Sequence, residues 1–159
     1  MGKVLNDFEN NWPGSVSRAV DDILVALPNH ASEPIPFGSP VFLDATGGVV
    51  PGSGSSTFAS FLGFATRIPD KTPDTYSSSV GSWDPQLDGP VEVLVRGTVA
   101  VRCIGEPATG GAVYLRLSNN RISATGGDGT IQLTNCTFRK EASLGSGCAE
   151  VVVRTRNLL

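Results

Sequence analysis

The stretch that decides the fold is Gly38-Ser-Pro-Val-Phe-Leu-Asp-Ala-Thr-Gly-Gly-Val-Val50, because Gly110-Gly-Ala-Val-Tyr-Leu-Arg-Leu-Ser-Asn-Asn-Arg-Ile122 repeats its pattern. Each copy has a glycine, a small residue, proline or alanine, valine, an aromatic residue and leucine, followed by a polar turn and an aliphatic return. Glycine or asparagine at the turn permits the positive φ angles that tight hairpins need. The repeat therefore predicts two hairpins of the same design.

A matching strand follows each hairpin, Pro90-Val-Glu-Val-Leu-Val-Arg96 in the first half and Cys148-Ala-Glu-Val-Val-Val-Arg154 in the second. The first of these reaches Arg96-Gly97, which we interpret as the turn of another hairpin, Val91–Val101. The halves 38–96 and 110–154 then predict an all-β sandwich or barrel of about nine short antiparallel strands. Such a body offers surfaces for binding rather than a catalytic cleft.

An extended N-terminal arm, residues 1–36, is predicted to precede a single β domain, residues 37–159. The arm is punctuated by prolines, and its apolar residues fit two patterns. One is a helical face; the other is a strand with Ile23, Val25 and Leu27 on one side. The prolines favour an extended arm with a short strand. Within the β domain, Gly63 predicts a bulge or a close backbone approach.

The composition argues against several partners. The chain has 159 residues and a net charge of −3, so clustered positive charge for nucleic acid or for an anionic membrane is not expected. No apolar run reaches the length of a membrane-spanning helix, and residues 1–9 lack the apolar core of a signal peptide. We expect no nucleic acid and no membrane as partners.

Residues for catalysis or for a cofactor are not apparent. The one histidine, His30, lies in the arm, where we expect no rigid element to hold it. The acidic pairs, such as Asp84 with Asp88, lie in the arm or a loop, where we expect them to be solvated. The three cysteines match no zinc spacing and are read as small buried hydrophobic residues, with a Cys136–Cys148 disulfide as the alternative. We expect no enzyme activity, no cofactor and no metal site.

A loop of about twenty residues, 69–90, carries Tyr76 and Trp83. Loops of this length are usually functional or linking, and exposed aromatic residues are typical of interfaces. We therefore expect Tyr76 and Trp83 to be exposed and to bind a partner.

Seven short motifs occur in a fixed order between about Trp12 and Asn157. They are Pro13-Gly14 with Ser17-Arg18, Ile35-Pro-Phe-Gly-Ser-Pro-Val-Phe-Leu43, Phe61-Leu-Gly-Phe-Ala-Thr-Arg67, Thr72-Pro-Asp-Thr-Tyr76, Val91-Glu-Val-Leu-Val-Arg-Gly-Thr98, Gly110-Gly-Ala-Val-Tyr114 and Ala149-Glu-Val-Val-Val-Arg154. In this order and spacing, the chain resembles the structural cement, or capsid decoration, proteins of tailed bacteriophages.

The resemblance implies a virion protein on the outer surface of the capsid, made in the host cytoplasm, that binds the major capsid protein and forms a homotrimer. Oligomerisation would also cover the Val-rich runs, whose exposed edges invite aggregation. The expected partner-binding residues are Trp12, Pro13, Ser17, Arg18, Tyr76 and Trp83. The alternative is a non-catalytic β-sandwich module that binds carbohydrate or a host surface, which would need several coplanar exposed aromatic residues.

Overall fold

The computed structural model describes residues 13–67, 81–86, 88–140 and 148–158. Their regular structure is eleven strands and one short 3-10 turn, Phe58–Ser60. The strands are β1 (Val16–Leu27), β2 (Ile35–Pro36), β3 (Pro40–Leu43), β4 (Val49–Pro51), β5 (Phe61–Ala65), β6 (Ser82–Trp83), β7 (Val91–Ile104), β8 (Ala112–Arg116), β9 (Arg121–Ser123), β10 (Thr130–Lys140) and β11 (Cys148–Val153). Nine of them form one sheet, which confirms the predicted all-β sandwich or barrel.

The sheet curls into two closed barrels that share the long strand β7. In the second barrel, the C-terminal half of β7 pairs with β11 on one side and with β9 on the other, and β8 and β10 complete the ring. In the first barrel, the N-terminal half of β7 pairs with β1 and β5, followed by β3 and β4. This ring closes where Asn29 bridges Val49, with His30 N–H donating to Val49 O at 3.0 Å.

The two barrels share their strand order and register. Gly38 N–H donates to Ala65 O at 2.8 Å in the first, and Gly110 N–H donates to Phe138 O at 2.7 Å in the second. The corresponding strand pairs of the two barrels are Leu27↔Val91 and Val101↔Ala149, Pro40↔Phe64 and Ala112↔Thr137, Ala65↔Val93 and Phe138↔Val151. The similarity therefore extends beyond the visible sequence repeat, to β1 and the second half of β7.

The predicted hairpin Val91–Val101 is wrong, because β7 runs through Arg96-Gly97 as one strand of 14 residues. Gly97 has φ +127° and lies against Asp22 of β1, where the β1–β7 register shifts. The first half of β7 pairs with β1 and β5, and the second half pairs with β11 and β9. If the two halves paired with each other as a hairpin, each would lose one of these partners. β11 also has two neighbours, β10 and β7, so the edges of both Val-rich runs are covered within the chain.

The strand alternative holds for the N-terminal region. Val16–Leu27 is β1, in which Ile23, Val25 and Leu27 pack towards the core of the first barrel, while Leu24 on the opposite side is 43% exposed. This period of two places Ile23, Val25 and Leu27 on one side of β1, as the strand pattern predicts. The earlier part of the predicted arm, residues 1–12, lies outside the described residues.

Two apolar clusters fill the barrels. The first holds Ile35, Phe37, Val41, Val49, Leu62, Ala65, Trp83, Val91, Val93 and Val95. The second includes Val99, Val101, Val113, Leu115, Ile122, Leu133, Phe138, Val151 and Val153. Phe42, Phe61, Phe64 and Leu94 join the second cluster, so the reverse face of the first barrel packs on its neighbour. Fully burying such side chains stabilises the fold by about 1.5–3 kcal/mol each.

Gly63 makes the close approach that the sequence predicts, since a Cβ there would collide with Leu94 O on β7. The cysteines are free, with Cys136 and Cys148 buried and Cys103 half-buried. Cys136 is paired with Val153 and Cys148 with Arg102, so the alternative disulfide does not form. Burial raises the pKa of the Cys103 thiol to about 11, which keeps it protonated and unreactive near neutral pH.

Candidate interaction surface

The chain enters the first barrel through residues 13–15, which we call the strap. Gly14 N–H donates to Ala100 O at 2.8 Å, and Ala100 N–H donates to Ser15 O at 3.0 Å. Arg67 N–H donates to Gly14 O at 2.9 Å, and its Nε donates to Pro13 O at 3.3 Å. These bonds fix the point at which the N-terminal segment meets the body.

Two glycines allow the strap to lie directly on the sheet. Gly14 and Gly38 both have left-handed backbone, with φ +80° and +77°. A Cβ on Gly38 would lie 2.7 Å from Gly14 N and 3.1 Å from Ala100 O, closer than side-chain carbons approach backbone atoms. Both positions therefore need glycine for conformation and for space.

Arg67 is held over an aromatic pair beside the strap. Its guanidinium carbon lies 5.1 Å from the centre of the Phe37 ring, and Phe37 meets Trp83 edge to face with ring centres 6.3 Å apart. Trp83 Nε1 donates to Thr66 O at 2.8 Å. Partial burial lowers the pKa of Arg67 from its ordinary value. We call Pro13, Gly14, Phe37, Gly38, Arg67 and Trp83 the anchor cluster.

The anchor cluster contains or contacts the described residues that flank two segments outside the described chain, 1–12 and 68–80. Residue 13 follows residues 1–12, Arg67 precedes residues 68–80, and Gly81 follows them. Gly81 O accepts from Phe37 N–H at 3.0 Å. Trp12 and Tyr76, two of the predicted partner-binding residues, lie outside the described residues, but the residues that flank their segments are brought together here.

The other four predicted residues are within the described chain. Pro13 is buried in the strap, and Ser17 and Arg18 lie on β1, next to it. Trp83 is 8% exposed and belongs to the core of the first barrel, so the expectation that it is exposed is wrong. The pairing of β6 with β2, Ile35 opposite Trp83, draws the indole inwards and gives its N–H a carbonyl acceptor.

The carbohydrate-binding alternative receives no support from the described aromatic residues. All of them are buried or half-buried, including Tyr114 and Phe58. A sugar platform needs exposed, coplanar rings.

His30 is held rigidly, contrary to the expectation from sequence. It lies at the closure of the first barrel, where its Nδ1 is 2.7 Å from Asp44 Oδ2 and 3.2 Å from Thr46 Oγ1. Asp44 Oδ1 also accepts from the N–H groups of Thr46 and Gly48, both at 2.8 Å. A catalytic triad needs the two imidazole nitrogens to serve different partners, whereas here both contacts converge on Nδ1. The arrangement stabilises the turn of the first hairpin.

The acidic pairs also have local roles. Asp84 N–H donates to Asp88 Oδ2 at 2.5 Å, which closes a turn after β6. Asp22 Oδ1 accepts from Thr98 N–H at 3.4 Å beside Gly97, and burial raises the pKa of Asp22. In the described part of the chain, no group of three or more histidine, cysteine or acidic side chains is placed to hold a metal ion. The described part of the chain also contains no helix that could span a bilayer.

Comparison with known proteins identifies a matching family and a similar solved structure. A family described as "Structural cement protein (E217 gp24/Pam3 gp6)" matches residues 6–154. A chain from the solved structure "The capsid of Myoviridae Phage XM1" superposes with a TM-score of 0.74 at 20% identity, over 96% of this chain and 95% of that one. At this identity the second likeness shows the fold alone. No curated protein matches the sequence.

Proposed function

This chain belongs to the structural cement protein family, and from that membership we propose that it binds the outer surface of the major capsid shell of a tailed bacteriophage and stabilises it. A structural cement protein is a component of the virion, at the capsid surface, with a structural role. The observation that carries the proposal is the family match over residues 6–154, which includes both barrels.

The shell-binding region is proposed to surround the anchor cluster. The strap holds the N-terminal segment that contains Trp12, and Arg67 and Gly81 flank the segment that contains Tyr76. Two segments attached at one rigid place can reach one partner together, and a rigid attachment lowers the entropy lost on binding. Trp83 then supports this region from within, through Phe37 and Thr66.

The homotrimer is proposed to form through β1. β4 contacts this part of the chain only after β1 has ended, at Asn29, so over Val16–Leu27 the described strands cover one edge of β1, through β7, and leave the other edge uncovered. Ser17 and Arg18 lie on this strand, and Leu24 is its exposed apolar residue. An uncovered edge with an apolar side chain favours pairing with another copy.

Leu24→Glu should lower the sedimentation coefficient of the protein to that of a monomer, because the charge would be buried at the contact. Ser55→Glu, in an exposed loop after β4, is the matched control and should sediment as the wild type. A wild-type chain that sediments as a monomer at every concentration would rule out the trimer.

Binding to shells tests the function directly. Purified shells that lack this protein are mixed with increasing amounts of it and collected by centrifugation. We expect saturable binding with a fixed number of copies per shell. A variant that lacks residues 1–12 retains every described strand and should bind more weakly, because it loses the segment held by the strap. Absence of saturable binding by the full chain would overturn the proposal.

A further inference from the structure

Three arginines lie side by side on the outer face of the second barrel. Arg116 of β8 and Arg121 of β9 are directly opposite each other in the antiparallel register. Arg102 of β7 comes one residue before Cys103, which is paired with Ile122 in the parallel register of β7 and β9, so Arg102 lies beside Arg121. Arg102 and Arg121 are exposed, and Arg116 is half-buried. We call these three residues the arginine row.

The fold does not require the arginine row. In the first barrel, the places equivalent to Arg102, Arg116 and Arg121 are occupied by Pro28, Asp44 and Gly48. The same architecture is thus built without positive charge there. Like charges directly opposite each other on a sheet destabilise it, so the row costs stability in the isolated protein.

Two members of the row, Arg116 and Arg121, have no carboxylate partner among the described residues. Asp128 lines the shallow groove next to Arg116, but its carboxylate is not within ion-pair distance. The chain as a whole is acidic, with a net charge of −3, which makes a concentrated basic row a local exception.

A groove of about 540 Å³ runs beside the row. Arg102 and Arg121 line it together with Pro36 and Pro51 of the first barrel, the proline side chains that are accessible there. Asn120 stabilises the boundary between the barrels, since its Nδ2 donates to Pro40 O at 3.1 Å and its Oδ1 accepts from Gly52 N–H at 3.1 Å. The groove therefore offers two arginines and two accessible prolines on a boundary that hydrogen bonds hold in place.

We infer that the arginine row binds an acidic, partly apolar segment of the shell protein, whose carboxylates pair with Arg116 and Arg121 while its apolar side chains lie against Pro36 and Pro51. The inference rests on the proposed function. Guanidinium groups bind carboxylates through two parallel hydrogen bonds, and a row of them spaced by neighbouring strands suits an extended acidic segment. Duplex DNA is disfavoured as the ligand, because its many phosphates would meet a protein of net negative charge.

The test uses Arg116→Gln, Arg121→Gln and the double variant, with Arg139→Gln, an exposed arginine of β10, as the matched control. Each protein is titrated onto purified shells that lack it, at low and high salt. We expect each single substitution to weaken binding about tenfold, the factor that one charge-assisted hydrogen bond contributes. The control should stay within about twofold of wild type. The thermal midpoints of the row variants should stay unchanged or rise, since a like-charge pair is relieved.

The possible outcomes separate the explanations. If wild type and row variants bind shells equally, the inference is overturned while the proposed function stands. If the row variants instead change the sedimentation coefficient of the free protein, the row is a contact between copies and the inference is overturned. The same holds if wild type, but not the double variant, binds a duplex DNA oligonucleotide at physiological salt. A wild type that binds no shell overturns the proposed function and this inference together.

Discussion

Replacing Gly38 by alanine should destabilise the protein much more than the same replacement at its repeat counterpart, Gly110. The two glycines have nearly the same φ, +77° and +79°, so each alanine costs about 1–2 kcal/mol for left-handed backbone. Their surroundings differ. A Cβ at Gly38 would lie 2.7 Å from Gly14 N, whereas nothing lies within 4 Å of a Cβ at Gly110.

The magnitude follows from what the added methyl group displaces. To make room, the strap must move away from β7, and the bond from Gly14 N–H to Ala100 O is lost. A buried N–H without a partner costs about 1–3 kcal/mol. Gly38→Ala should therefore lower the free energy of unfolding by roughly 3–4 kcal/mol, against roughly 1–2 kcal/mol for Gly110→Ala. For a chain of this size, the melting midpoints should fall by roughly 10 °C and 4 °C.

Urea titration and thermal unfolding followed by circular dichroism measure both losses. At a temperature where both variants are folded, Gly38→Ala should also bind shells more weakly, because the strap positions the N-terminal segment, while Gly110→Ala should bind as wild type. Equal stability losses at the two glycines would refute the close packing of the strap on the sheet.

Trp83→Phe should keep the edge contact with Phe37 but leave Thr66 O without its indole donor, at a cost of about 1–3 kcal/mol in the free energy of unfolding. A Trp83→Ala variant that kept its stability and lost only shell binding would instead make Trp83 a direct contact residue. Hydrogen bonds from Gly48 N–H and then from His30 hold the pKa of Asp44 well below its usual value. Its carboxylate therefore stabilises the fold above about pH 4, and this contribution is lost as the pH falls towards the folded-state pKa. The free energy of unfolding should fall more steeply between about pH 4 and pH 2 in wild type than in Asp44→Asn, and equal slopes would contradict the role of Asp44.

The two hairpins and the all-β class could be predicted because their signals are local. A glycine before the strand, alternating apolar residues and a glycine or asparagine turn all lie within 13 residues. The continuity of β7 could not be predicted this way. Gly97 could reverse the chain in a turn or form a bulge within one continuous strand. Which of these occurs depends on β1, which pairs mainly with the first half of β7, and on β11, which pairs with the second half, and both strands are distant in sequence.

The proposed interaction surface was predictable only in part. Pro13-Gly14 stands out in the sequence, and the structure gives the physical reason in the packing of Gly14 on Gly38. The burial of Trp83 depends on its pairing with Ile35, a partner 48 residues away, which no local pattern reveals. The arginine row is likewise invisible in the sequence, because it arises from the parallel pairing of β7 with β9.

The most direct test of the proposed function is the temperature at which heads release their DNA. Filled heads that lack this protein are heated alone and after saturation with the purified chain, and free DNA is followed with an intercalating dye. We predict that saturation raises the release temperature, and that the variant lacking residues 1–12 raises it less at the same concentration. A release temperature that does not change when the heads are saturated with the full chain would contradict a stabilising role.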